Sequence, residues 1–155
     1  MALASGIFPD TLEQILDPTQ AAVNLETAGV KVAMFNDTPT PDFAAPNAYG
    51  SGIWATNELI SGGVWPTGGV AATTPDVDVV TVGGTPALAF TMANIVADPV
   101  TFVNAAGYLI YFDTTSPKYA IACVRFQTLL NITAGALTIP MPALGVGGIF
   151  RINAY

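Results

Sequence analysis

From Phe126 to Phe150 the chain runs FQTLLNITAGALTIPMPALGVGGIF, with no ionisable side chain between Arg125 and Arg151. So long an uncharged stretch leaves two options: a membrane segment, or strands whose surfaces are covered by other protein. A spanning helix needs roughly 20 consecutive predominantly apolar residues. This stretch is interrupted by Gln127, Asn131, threonines, glycines and two prolines, Pro140 and Pro142. It divides instead into strand-length pieces. The opening MALASGIF lacks a basic segment ahead of its short apolar run, so no secretory signal is read there. The sequence therefore argues against a membrane partner.

The rest of the composition agrees with coverage by protein. Of 155 residues, 52% are hydrophobic and only 10% charged, against about 25% charged in ordinary soluble domains. An isolated monomer keeps a charged surface for solubility, so a subunit among neighbours is expected. Eleven acidic residues outweigh four basic ones. The bases, Lys31, Lys118, Arg125 and Arg151, are scattered and form no stripe for phosphates, which argues against a nucleic-acid partner. Cys123, the one cysteine, sits in an apolar run and reads as a buried small side chain. The sequons at Asn36 and Asn131 carry no weight without a secretory signal.

Two segments of different character follow. Residues 1–28 read as an N-terminal arm: DTLEQILD, 10–17, is a short helix with Asp10 as cap, Pro18 as stop, and Leu12, Ile15 and Leu16 on one face. So short a helix is marginal alone in water. It is expected to dock on a neighbouring subunit, with a lid over its own sheet as the alternative. Residues 29–155 read as strands and turns: GVKVAMF, VDVVTV, ALAFTMANI, PVTFVN, GYLIYFD, YAIACVRF, GALTIP and GGIFRINAY. A helical turn is expected within 54–59 of the glycine-rich loop. The fold class predicted is all-β, an antiparallel β-sandwich or barrel of about seven to nine short strands.

One hairpin carries more apolar surface than a half-wet sheet requires. In GYLIYFDTTSPKYAIACVRF, one face holds Tyr108, Ile110 and Phe112 with Ala120, Ala122, Val124 and Phe126. The other holds Leu109, Tyr111 and Asp113 with Tyr119, Ile121, Cys123 and Arg125. The first face is assigned to the core. The second is expected to lie against another sheet edge, the N-terminal arm or a sister subunit, which makes Tyr111 and Tyr119 interface candidates. Arg125 and Arg151 are expected to pair with Asp113 or the terminal carboxylate.

Chemistry is sparse. There is no histidine, which removes imidazole-activated nucleophiles and the commonest metal ligand. Asp76 and Asp78 share a strand face but read as turn acids beside Pro75. Glycine pairs such as Gly147-Gly148 precede strands, not helices, and read as turns. No catalytic residue, cofactor or metal site is assigned, and the chain is read as a contact protein, not an enzyme.

The order VKVAMFNDT…PDF, AYGSGIWATNEL, SGGVWPTGG, GYLIYFDTTSP, AIACVRF and GGIFRI, across residues 29 to 152, resembles small virion structural proteins of tailed bacteriophages. Those open on a K-V-A-L-F-N-x-T strand, continue through a Tyr-Gly-Trp-Asn-Glu segment and a glycine-rich loop, and carry a Y-D-D-T hairpin. The present chain departs at VWPTGG and at FDTTSP, which has one Asp for two. The resemblance implies a capsid decoration, or minor capsid, protein at the virion surface, made in the host cytoplasm. Its implied partners are the major capsid protein and further copies of itself, as a homotrimer. The contact residues expected are Ile7, Phe8, Leu12, Ile15 and Leu16 in the arm, with Trp54 and Trp65 in the loops. The alternative is a tail or head-fibre component reading host glycan through Tyr49, Trp54, Glu58 and Trp65.

Overall fold

A computed structural model describes residues 3–16, 23–27 and 29–153 of the chain. The elements are β1 (Gly6–Ile7), α1 (Pro9–Leu16), β2 (Val30–Phe35), β3 (Glu58–Leu59), β4 (Val70–Ala71), β5 (Asp76–Val82), β6 (Thr85–Thr91), β7 (Ile95–Phe112), β8 (Ala120–Ile139) and β9 (Phe150–Asn153). The fold is all-β and antiparallel, its sheets not closed into a barrel, and it fits a sandwich. The larger sheet runs β1-β8-β7-β2-β3, with β4 also on β2; the smaller runs β5-β6-β9. Among the described residues no helix is long and apolar enough to cross a membrane.

The strands are not all short, which corrects one expectation. PVTFVN and GYLIYFD fuse into the 18-residue β7, while YAIACVRF and GALTIP fuse into the 20-residue β8. What reads as turn chemistry between them is absorbed as bulges, which add residues to one strand without ending it. Asn104 and Ala134 take φ of 55° and 45° there. Side chains across the ladder replace the missing backbone partners: Asn104 N–H donates to Asn131 Oδ1 at 2.9 Å, and Ala134 N–H to Thr101 Oγ1 at 3.0 Å. The expected turn at 54–59 resolves into a 3₁₀ turn at Gly52–Trp54 and the strand β3.

Core packing divides into two clusters, one on each face of the β7–β8 hairpin. Tyr108, Ile110, Phe112 and Ala122 join β2 residues Val30, Val32 and Met34 with Phe90, Ile95 and Phe102. The second face, Leu109, Tyr111 and Cys123, packs with Leu3, Phe8, Ala33, Phe35, Trp54 and Ala106. The excess apolar face is thus covered from within the chain. Gly6 and Ile7 pair with Cys123 and Ala122, Phe8 N–H donates to Ile121 O at 3.0 Å, and Thr11 Oγ1 donates to Ala120 O. The N-terminal segment, expected to reach a neighbour, lies on its own sheet.

A register shift between Ile110 and Tyr111 changes the predicted faces. Ala120 sits opposite Tyr111 and joins the second cluster, whereas Ile121 and Tyr119 turn to the first. The helix begins at Pro9, where a missing N–H costs nothing, so Asp10 falls inside the first turn instead of capping it. The expected helix end at Asp17 and Pro18 lies outside the described residues.

Gly107 allows the two long strands to approach. A Cβ there meets Val124 O at 2.2 Å and Leu3 Cδ2 at 2.7 Å, so any side chain separates β7 from β8 and from the N-terminal segment. Cys123 lies in the same layer, 1% exposed, and burial pushes its thiol up to about 12. It is expected to resist maleimide in the native protein and to label only as the chain unfolds; labelling rates across a urea titration check this. Because the native pKa is raised above the unfolded value of about 8.5, the associated stability is full below that pH. It is lost as pH rises toward the native value.

Candidate contact surface

The glycine-rich segment between β2 and β4 is held by a polar clasp. Glu58, at the start of β3, accepts from Tyr49 Oη through Oε2 and from Gly68 N–H through Oε1, both at 2.7 Å. Tyr111 Oη donates to Gly68 O at 2.7 Å. The Tyr49 and Tyr111 rings stack at 4.3 Å and 12°, and Lys118 Nζ stands 5.6 Å from the Tyr49 ring centre. Burial, with the Glu58 hydrogen bond second, pushes the Tyr49 hydroxyl well above its ordinary value. The set expected to stack on glycan is consequently not an open platform. Both Glu58 oxygens and one face of each tyrosine are occupied, and the tryptophans belong to separate core clusters.

Beside the clasp, Asp113 takes both lysines: Lys31 Nζ at 2.7 Å and Lys118 Nζ at 2.6 Å. Arg125 pairs with Asp37 at 2.6 Å and also donates to Leu3 O. The pairing of Arg125 with Asp113 is thereby corrected. Arg151 lies along the turn at Gly147, whose Cβ position is 3.3 Å from the Arg151 side chain; the terminal carboxylate expected as its partner lies outside the described residues. Burial works to raise the Asp113 carboxyl, but the two ammonium groups overcome it and hold the pKa below the ordinary range.

A depressed native pKa means that the Asp113 contribution is fully present above the unfolded value of about 3.9. It is lost as pH falls through the native value. The stability gap between the natural protein and Asp113→Asn is expected to stay constant from neutral pH down to that range and then close. Urea midpoints measured across the acid range check it.

Of the nine expected contact residues, four are spent inside the chain. Phe8, Trp54, Trp65 and Tyr111 are buried, because each ring finds an internal partner. Trp54 Nε1 donates to Asn47 Oδ1 at 2.9 Å, Phe8 lies against Phe43 and Trp54, and Trp65 stands edge-on to Phe102 at 5.6 Å. Their assignment as interface residues is corrected. Tyr119 is half-buried against the first cluster, and Ile7 likewise. The Leu16 side chain lies outside the described residues. Leu12 and Ile15 remain half-buried on α1 and form one wall of an apolar groove.

The opposite wall is the smaller sheet. Val79, Leu88 and Ile152 are cross-strand partners in β5, β6 and β9, forming a row 69%, 40% and 41% exposed. Phe150 and Val77 lie next to it, and Val23, Leu25 and Glu26 complete the groove, a space of about 260 Å³. The row escaped sequence reasoning because it needs the register of three strands. A signal was present in DVDVVTV, where adjacent Val79 and Val80 oblige one valine to face solvent.

Three further exposed aliphatics, Val96, Val103 and Leu129, lie on the β7–β8 hairpin. Among the described residues, no group of three or more His, Cys, Asp and Glu side chains gathers in a metal-holding arrangement. No protein-family model, curated protein or solved structure matches this chain.

Proposed function

We propose that this protein is a bacteriophage virion structural protein, a capsid decoration protein that binds the lattice of the major capsid protein and acts as a homotrimer. The observation that carries the reading is the open Val79–Leu88–Ile152 row beside Leu12 and Ile15 of α1. A contiguous apolar surface on a soluble chain marks a contact site. The resemblance of residues 29–152 to phage virion proteins supplies the kind of partner. Three of the four bases are held in ion pairs within the chain, so the outward balance is acidic, which suits a particle exterior away from the genome.

A decoration protein recognises assembled lattice and stabilises it by mass action. Added to empty expanded shells, the purified protein is expected to co-sediment with them and raise their melting temperature. Its copy number in purified virions, by quantitative mass spectrometry, is expected to be in the hundreds, on the order of the capsomer count of a lattice it stabilises by mass action. A handful of copies per particle places it in the tail or a fibre and overturns the reading.

A further inference from the structure

We infer that the groove between α1 and the β5-β6-β9 sheet receives an apolar segment flanked by lysine or arginine residues, from another virion polypeptide. The inference rests on the proposed docking role and names the chemistry of what docks. Its size is the first argument. At about 260 Å³ the groove falls below the roughly 300–1,000 Å³ of sites that enclose small molecules. It suits a few aliphatic side chains of a chain lying across the sheet, in the manner of grooves that take peptide segments through spaced apolar anchors. Leu88 and Ile152, with Val77 and Phe150 beside them, supply the floor for such anchors, and Leu12 and Ile15 the wall.

Charge selects the flanks. No lysine or arginine lines the groove, whereas Glu26 does; Glu13 turns to the other side of α1, beside Asp10 and Phe43. Arg151, though next to Ile152, alternates to the opposite face of β9 and lies along Gly147. A second copy of this chain fits this groove poorly, whatever trimer contacts it makes elsewhere: Lys31, Lys118 and Arg125 are already paired, which leaves Arg151 as its one base to meet Glu26. Like charges facing each other across an interface oppose association. A basic-flanked segment meets Glu26 with opposite charge.

The probe is a fluorescein-labelled peptide with a leucine–valine core and lysine pairs at both ends, measured by anisotropy against a twin with glutamate pairs. The lysine peptide is expected to bind the whole protein about tenfold more tightly, with the advantage shrinking at high salt. Ile152→Asp and Leu88→Asp, both at exposed positions, are expected to abolish binding. Val103→Asp, on the β7–β8 hairpin, is expected to leave it unchanged. Melting curves of the three variants certify that they fold.

Equal binding of the two peptides, no binding of either, or binding that survives Ile152→Asp overturns the inference. So does a self-associated protein that Ile152→Asp converts to monomer, since a second copy is then the occupant. The parallel experiment with empty shells separates the two readings. Shell binding without peptide binding removes the groove and leaves decoration standing, while peptide binding without shell binding does the reverse.

Discussion

Trp54→Ala is expected to lower stability by about 3–5 kcal/mol, the range for removing a large buried aromatic side chain. Against a total of roughly 5–15 kcal/mol for a domain, that leaves much of the population unfolded at moderate temperature. The indole stands edge-on to Phe35 at 5.0 Å and 76°, and to Phe8 at 6.3 Å and 89°. Its removal opens the layer that joins the N-terminal segment to the sheet. It also strands the Asn47 side chain, which is buried. Asn47 donates through Nδ2 to Asp42 O and Ala45 O, and its Oδ1 accepts only from Trp54 among the bonds described. A buried acceptor left without its partner costs about 1–3 kcal/mol, so Trp54→Phe is expected to lose roughly that amount while keeping most of the packing. Urea denaturation followed by far-ultraviolet circular dichroism separates the two variants without relying on the altered fluorophore.

Gly69→Ala is expected to be comparably severe for an unrelated reason. Gly69 has φ of +68°, and a Cβ there falls 1.8 Å from Val32 O and 2.7 Å from Ala33 Cα. Both obstacles are backbone atoms of β2 in the middle of the sheet, so no side-chain rotation relieves them. The left-handed conformation alone costs an L-residue about 1–2 kcal/mol, and the clash adds separation of β4 from β2, where Val70 pairs with Val32 and Ala71 with Lys31. A loss of about 3 kcal/mol or more is expected. It should be accompanied by faster amide exchange at Ala72, whose N–H donates to Val30 O at 2.8 Å. Unchanged exchange at Ala72 with full stability contradicts this account of the loop.

Much of the architecture was legible because alternation and turn chemistry act locally. The strands at 30–35 and 76–91, and the hairpin about Asp113 to Lys118, follow from apolar spacing between Gly, Pro and Thr clusters. The apolar second face of that hairpin correctly demanded a cover. Which cover was not legible: a neighbour's surface and the chain's own Leu3 and Phe8 satisfy the same burial, and the choice depends on contacts between residues far apart in sequence. The loop tryptophans misled for a related reason. An aromatic among glycines looks like a presented side chain until its acceptor, Asn47 for Trp54, is placed beside it by folding. The bulges at Asn104 and Ala134 were hidden because the residues that seat them, Asn131 and Thr101, come from the opposite strand.

The docked N-terminal segment also alters how truncation is to be read. Deleting residues 1–28 removes Leu3 and Phe8 from the second core layer along with α1, so failure to bind a shell follows from unfolding as readily as from a lost contact. Point changes at half-buried Leu12 or exposed Ile152 address the contact alone.

The position of β1 also sets a timetable. Ser5 is joined to Arg125 through Oγ at 2.7 Å, across 120 residues of chain, and Gly6 and Ile7 complete the sheet against β8. At the roughly 5–20 residues per second of synthesis, β1 waits on the order of ten seconds for its partner to emerge. Closure of that edge is therefore a late, non-local event, in a topology that loop-closure entropy makes slow. Through that interval Phe8 and the face it shields lie open in the nascent chain. Chaperone occupancy on the ribosome is accordingly expected to end only once β8 has cleared the exit tunnel.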